Sequence, residues 1–227
     1  MTLPPPGLVA LARKIYWKLM PAALQKRVFH GSGDYWERRY ARGGTSGPGS
    51  YGRFAEFKAQ VLNEFVAAQK VNSVIEFGSG DGRQLALAKY PAYTGVDVSA
   101  SALARCRGIY VSDATKSFIL LEEYAGQKAE LSLSLDVIYH LVEDAVYEKY
   151  MQRLFDAAEK YVAVYASDTD DNGDLQGPHI RHRHWSAWVA ANRPQWKLVR
   201  HIPNPYPYQG DGTKGSFSDF FVFEKFV

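Results

Sequence analysis

An apolar run that breaks into three alternating glycines, Val74-Ile75-Glu76-Phe77-Gly78-Ser79-Gly80-Asp81-Gly82, constrains this chain more than any other stretch. A β-branched apolar start bounded by glycine reads as a buried strand entering a tight turn. Arg83-Gln84-Leu85-Ala86-Leu87-Ala88 then reads as the start of a helix. Glycine removes a side chain where the backbone must bend or approach a ligand. A helix start presents unpaired N–H groups and the positive end of its dipole. Strand, turn and helix together form a nucleotide-type binding site. The dinucleotide fingerprint needs its third glycine three places after the second. Here Arg83 holds that place and the glycine falls early, at Gly82. No Gly-Lys-Ser/Thr follows the turn, so it is not a Walker loop either.

The flanking pattern supplies the rest of the sheet. Phe54, Phe57, Val61, Phe65 and Val66 repeat at helical period and predict a helix over 53–70, before strand 73–77. Strand 93–98 follows, with Ser99 as N-cap of a helix over 100–107. A third strand is expected at 109–113 and a fourth at 130–138. Helix 143–160, strand 161–166, a helix from His179 to about Ala191, strand 196–202 and strand 216–226 complete the chain. Alternation of strands and helices predicts an α/β fold: a Rossmann-like, mostly parallel seven-stranded sheet with helices on both faces. Only a loop joins the last two strands, so the final strand should run antiparallel. Ligands of such sheets sit at the carboxyl ends of the strands. Asp97 ends the second strand, where a carboxylate can accept both ribose hydroxyls, and Asp113 ends the third, within reach of an adenine amino group. Two acids and no basic phosphate clamp suit a nucleoside that lacks phosphate.

Four stretches now resemble the class I S-adenosylmethionine-dependent methyltransferases. They are Glu76 to Gly82, Gly95-Val96-Asp97-Val98-Ser99, Ser112-Asp113-Ala114 and Leu135-Asp136-Val137-Ile138-Tyr139-His140-Leu141. The likeness spans roughly residues 51–226. It implies that Gly78 and Gly80 approach the methionine part of the donor, that Asp97 holds the ribose and Asp113 the adenine amino group, and that Val98 and Ala114 flank the ring. It implies further that Glu76 braces the turn and that Leu135 belongs to the donor site. Ser79 stands where the family often has cysteine. A narrower resemblance, to sugar O-methyltransferases of surface-polysaccharide assembly, mycobacterial methylmannose types included, rests on three features. These are Tyr35-Trp36-x-x-Arg39-Tyr40 with its Gly-rich loop, the run 178–183, and the ending Ser216-Phe217-Ser218-Asp219-Phe220.

A sugar hydroxyl is a weak nucleophile and needs a base or a metal to take its proton. His140, just beyond the fourth strand, is the candidate base, with Asp136 to orient it; the competing reading is that His140 only closes the pocket. Acceptor contacts are expected from Tyr51, Asp168, His179, Arg181, His182 and Tyr208. Asp136, Asp168 and Asp170 form an oxygen set that would suit Mg2+, which is left as an option beside a metal-free site. A Gly-rich loop over 43–52 is expected to cover the ligand.

Totals exclude other classes. A formal charge of +3 is too small to argue for nucleic acid, and the single cysteine, Cys106, excludes an internal disulfide and a Cys-based metal site. No run of about 20 apolar residues suggests a membrane span, and no signal peptide is evident, which together point to the cytoplasm. Residues 8–20 form a basic amphipathic pattern that reads as a cap or lid helix or as a peripheral membrane contact. The expected organisation is an N-terminal helix and lid segment over 1–50, then the methyltransferase domain over 51–227. The expected activity is methylation of a sugar or oligosaccharide hydroxyl. The alternatives are another small-molecule or lipid-linked acceptor, or a non-catalytic module that binds the donor.

Overall fold

The computed structural model describes residues 29–173 and 177–226, which contain seven strands in one sheet ordered β3-β2-β1-β4-β5-β7-β6. In chain order the main elements are α1 (Ser32–Ala41), α2 (Gly52–Ala68), β1 (Ser73–Phe77), β2 (Ala92–Asp97), α3 (Ala100–Ile109), β3 (Lys116–Leu120) and β4 (Ala129–Leu135). They continue as α4 (Asp144–Asp156), β5 (Ala158–Ala166), α5 (Trp185–Asn192), β6 (Trp196–Ile202) and β7 (Asp219–Lys225). β1 to β5 pair in parallel, while β7 runs antiparallel to both β5 and β6, in keeping with a final connection that carries no crossover helix.

Strand alternation divides the core into two layers. Ile75, Phe77, Val162 and Val164 face α4 and α5, meeting Met151, Leu154, Phe155 and Trp185. Val74, Leu131, Leu133 and Ala163 face the opposite way, onto Leu62, Phe65 and Val66 of α2. A strand buried on both faces has no solvent side to show, which is why β1 reads as an apolar run interrupted only by the buried Glu76. Ser99 caps α3 by accepting from the Ala102 N–H at 3.0 Å.

Several expected elements form differently. Residues 83–88 make only a short 3-10 turn, Leu85–Leu87, rather than a helix. Asn63 of α2 serves this segment instead, donating to the Leu87 carbonyl and accepting from the Lys89 N–H at 2.9 and 2.8 Å. Residues 109–113 are the end of α3 and a turn, and β3 lies later. Ile109 and Val111, the apolar pair that suggested a strand there, are 58% and 83% exposed. β4 stops at Leu135, because Asp136 takes a left-handed backbone with φ of 59°. Residues 179–184 are irregular, so α5 starts only at Trp185, and β7 starts at Asp219. The basic helix expected over 8–20 lies outside the described residues. Among the described residues no helix is long and apolar enough to cross a membrane.

Candidate active site

A cavity of about 420 Å³ opens at the carboxyl ends of β1, β2 and β4. Gly78 and Gly80 both line it and both have left-handed φ values, 85° and 59°. A Cβ on Gly78 would lie 2.4 Å from Val137 Cγ2, and one on Gly80 would lie 2.5 Å from Ser46 Oγ. Glycine is therefore required here twice over, by backbone conformation and by close approach. The turn is held to β2 by the Gly78 and Ser79 N–H groups, which both donate to the Val96 carbonyl.

Asp97 is buried beside this turn and lines the cavity. Its two carboxylate oxygens accept from the Gly80 and Ser99 N–H groups, each at 2.8 Å. Burial pushes its pKa up to about 6, against those hydrogen bonds. A carboxylate has about four acceptor positions, so hydroxyl donors can still be taken. Glu76 sits beneath the turn and accepts from the Tyr93 hydroxyl at 2.7 Å. Burial raises it to about 7. Val98 and Leu135 also line the cavity.

Asp113 and Ala114 do not reach it. Because β3 starts at Lys116, Asp113 precedes the strand and lies at its amino end. It is partly exposed at the surface and accepts from the Thr115 hydroxyl and N–H, which lower its pKa. The carboxyl end of β3 instead presents Leu121 to the cavity, with its N–H on the Asp97 carbonyl.

One wall is built by α1 and residues 43–50. Ser46 bonds to Asp81 through its N–H at 3.1 Å and its hydroxyl at 2.8 Å, which lays this loop directly over Gly80. Glu143 caps the start of α1 through the N–H and hydroxyl of Ser32, and Glu37 of α1 binds Ser99 and Ser101. Arg105 donates to the Tyr40 and Gly44 carbonyls. The expected covering loop is thus in contact with the glycine turn.

At the other end, His140 lines the cavity between Trp36 and Tyr139, with ring centroids 4.9 and 4.5 Å away. His140 Nδ1 lies 2.9 Å from the His179 carbonyl oxygen. A carbonyl can only accept, so Nδ1 carries the proton and Nε2 keeps its lone pair. Burial lowers the pKa of His140 to about 4, keeping the ring neutral. His179 stacks on both His140 and Tyr35 at 5.5 and 4.4 Å, and burial lowers it to about 3.

Asp136 does not orient His140. It takes the Lys58 ammonium at 2.8 Å, the Tyr139 hydroxyl at 2.9 Å and the Ser218 hydroxyl at 3.1 Å. Asp168 caps α5 through Ser186, and Arg181 pairs at the surface with Asp144. His182 is buried against Ser167 and between Tyr139 and Phe217, and Tyr208 stacks on Phe217 at 3.8 Å. Tyr51 lies beneath Arg83, outside the cavity lining. Among the described residues no three His, Cys, Asp or Glu side chains converge as a metal site, so Asp136, Asp168 and Asp170 do not form the Mg2+ set. Sequence reasoning overlooked Lys58, whose signal was a lysine on the apolar stripe of α2 between Phe54 and Leu62. Trp36, from the Tyr35-Trp36-x-x-Arg39-Tyr40 stretch, also lines the cavity, as does Gln84, which no local pattern marks.

No family model matches the chain, and no curated protein matches it in sequence. Solved structures do. The N-methyltransferase NodS from Bradyrhizobium japonicum, in complex with S-adenosylhomocysteine, superposes with a TM-score of 0.65 at 14% identity, covering 86% of this chain and 98% of that one. Magnesium protoporphyrin IX methyltransferase from Synechocystis, also with bound S-adenosylhomocysteine, gives 0.58 at 16% identity over 85% of this chain and 97% of its own. The methyltransferase domain of bacterial CtHen1 gives 0.55 at 19% identity over 74% and 97%. At identities this low the likeness establishes the fold: the chain has the Rossmann-like fold of S-adenosylmethionine-dependent methyltransferases.

Proposed function

We propose that this protein transfers a methyl group from S-adenosylmethionine to a hydroxyl of a sugar or oligosaccharide, with His140 as general base. The observation that carries the proposal is the fixed tautomer of His140. Its Nδ1–H is committed to the His179 carbonyl, and its Nε2 lone pair is left at a cavity that also holds the glycine turn and Asp97.

The residues present fit the donor. The cradle over Gly78 and Gly80 leaves no room for a Cβ, and Asp97 keeps acceptor positions for the ribose. The cavity falls within the range of about 300–1,000 Å³ typical of small-molecule sites. When bound, the donor supplies an electrophilic sulfonium methyl, so the protein need only align the acceptor, exclude water and accept a proton. Trp36 and Tyr139 wall the base from solvent, and a neutral imidazole can take the hydroxyl proton as the new O–C bond forms.

Support for a sugar acceptor comes from the Tyr35-Trp36-x-x-Arg39-Tyr40 likeness. It comes also from a chain of ring contacts that leads from His140 through Tyr139 and His182 to Phe217 and Tyr208, with Phe217 exposed at its outer end. The acceptor would be met in the cytoplasm. The test is an acceptor screen with methyl-labelled S-adenosylmethionine against monosaccharides, methylated sugars and oligosaccharides. Label in a sugar hydroxyl is the expected result; label confined to amine or non-sugar acceptors refutes the sugar assignment.

A further inference from the structure

The first 33 residues hold an imbalance of charge that the cavity chemistry does not use. Arg13, Lys14, Lys18, Lys26 and Arg27 stand there with no acid among them. The whole chain has 27 lysines and arginines against 24 acids, so residues 34–227 hold 22 against the same 24, a net of −2. The net positive charge is thus carried by one end of the chain. Leu8, Leu11, Ile15 and Leu19 recur there at the spacing of one helix face, with Lys14 and Lys18 off that face. A basic arm for nucleic acid needs the charges and has no use for the apolar stripe. An apolar stripe flanked by cations suits the boundary between lipid headgroups and acyl chains.

Residues 1–28 lie outside the described residues, and the structure shows where they join the fold. Phe29 lies against Tyr35, with ring centroids 6.3 Å apart. Glu143 takes the Ser32 N–H and hydroxyl at 2.8 and 2.6 Å, which ties the start of α1 to the start of α4. Ser32 and Gly33 border the cavity, so the chain enters the fold at the cavity's lip. Two valines extend that lip. Val98 packs beside Gly33, where a Cβ would meet its Cγ2 at 3.1 Å, and Val146 lies in the first turn of α4. Both line the cavity and both are 42% exposed. An exposed valine is ordinary by itself. Here the pair flanks the point from which the cationic segment departs. Lys149 adds an exposed cation to the same cavity lining. Of the acids beside the lip, Asp34 pairs with Arg38 at 2.9 Å, and Asp144 pairs with Arg181 and Arg183 at 2.8 and 2.9 Å.

We infer that residues 8–27 dock the protein on an anionic lipid surface, with the lip of the cavity turned toward it. The apolar positions enter the headgroup boundary, and the five cations meet lipid phosphates. The two signals act together, since one weak anchor alone gives marginal, reversible binding. The inference stands independently of the methyl-transfer reading; where both hold, the acceptor is collected at the lipid surface.

The test is cosedimentation of the full chain with vesicles of phosphatidylglycerol and phosphatidylcholine, beside vesicles of phosphatidylcholine alone. Binding should need the anionic lipid and should fall as salt rises from about 0.05 to about 0.5 M, which shortens the screening length. Each cation near the surface contributes about fivefold in partitioning, so Lys14→Gln with Lys18→Gln should lower it roughly 25-fold. Leu11→Ser with Ile15→Ser should lower it as well, in variants that thermal unfolding shows to be folded. Binding that needs the charges and ignores Leu11 and Ile15 marks a general contact with polyanions, nucleic acid included, and overturns the lipid assignment. Failure of the wild type to bind anionic vesicles overturns the inference outright. Orientation is read from an environment-sensitive fluorophore on Val146→Cys or, at the amino edge of the sheet, on Glu159→Cys; Cys106 is buried and stays unlabelled. Anionic vesicles should shift the first emission to the blue and leave the second unchanged. An equal response at both, or none at Val146→Cys, overturns the placement of the cavity at the surface.

Discussion

Gly78→Ala should be the most informative single change in the glycine turn. Two costs are readable from the structure. Alanine must take φ of 85°, at about 1–2 kcal/mol for a residue with a Cβ. That Cβ would also meet Val137 Cγ2 at 2.4 Å, and overpacking of this kind costs about 1–3 kcal/mol. The turn cannot retreat cheaply, since its first two N–H groups are bonded to Val96 at 2.7 and 3.2 Å. The total is about 2–5 kcal/mol, measured by urea unfolding with linear extrapolation. The two parts are separable. Val137→Ala removes the clashing methyl, so the double variant should be more stable than the sum of the single effects by about 1–3 kcal/mol. The backbone part should remain. A Gly78→Ala cost below about 1 kcal/mol, or strict additivity with Val137→Ala, would show that the turn is not shaped as described.

Other expectations follow from the same site. His140→Ala should retain affinity for S-adenosylhomocysteine and lose about 10²- to 10⁴-fold in turnover once an acceptor is found; near-normal turnover removes it as the base. Base catalysis needs His140 unprotonated, and its pKa lies near 4, so turnover at saturating donor should stay level from neutral pH down to about pH 5. Asp97 takes up a proton as pH falls through about 6 and then offers fewer acceptor positions. Donor affinity should therefore weaken below that pH before turnover does, and a single shared midpoint for both quantities would contradict the assignment. Asp97→Asn should weaken S-adenosylhomocysteine binding about 10-fold or more in calorimetry. Asp113→Asn should leave that binding within about twofold, since its partners are Thr115 and Lys116 rather than the cavity. A selective loss in Asp113→Asn would restore Asp113 to the donor site.

Legibility in the sequence followed locality. β1, its turn, β6 and the Ser99 cap are set by neighbours in the chain, and their residues carry the whole signal. The third strand was misplaced because Ile109, Tyr110 and Val111 look strand-like yet close α3, and the error carried Asp113 to the wrong end of β3. Contacts across long stretches of chain left no local trace. The His179 carbonyl that fixes His140 lies 39 residues on, and the Lys58 that claims Asp136 lies 78 residues back. Asp136 stands out in the sequence as an acid near the end of the fourth strand, where proximity in the chain points to His140 as its partner; in space it meets Lys58, Tyr139 and Ser218 instead. The run 178–183 is mainly architectural, its arginines gripping the Leu141 and Val142 carbonyls and Asp144.

The wall made by α1 and residues 43–50 touches both halves of the cavity. Ser46 rests over Gly80, and Trp36 rests against His140, on one continuous segment tied down by Glu143, Glu37 and Arg105. A movement of this segment that uncovered the glycine turn would also uncover His140. In the proposed reaction water would then reach the donor end and the acceptor end of the cavity together, so that exchange of the two ligands would be coupled through one stretch of chain.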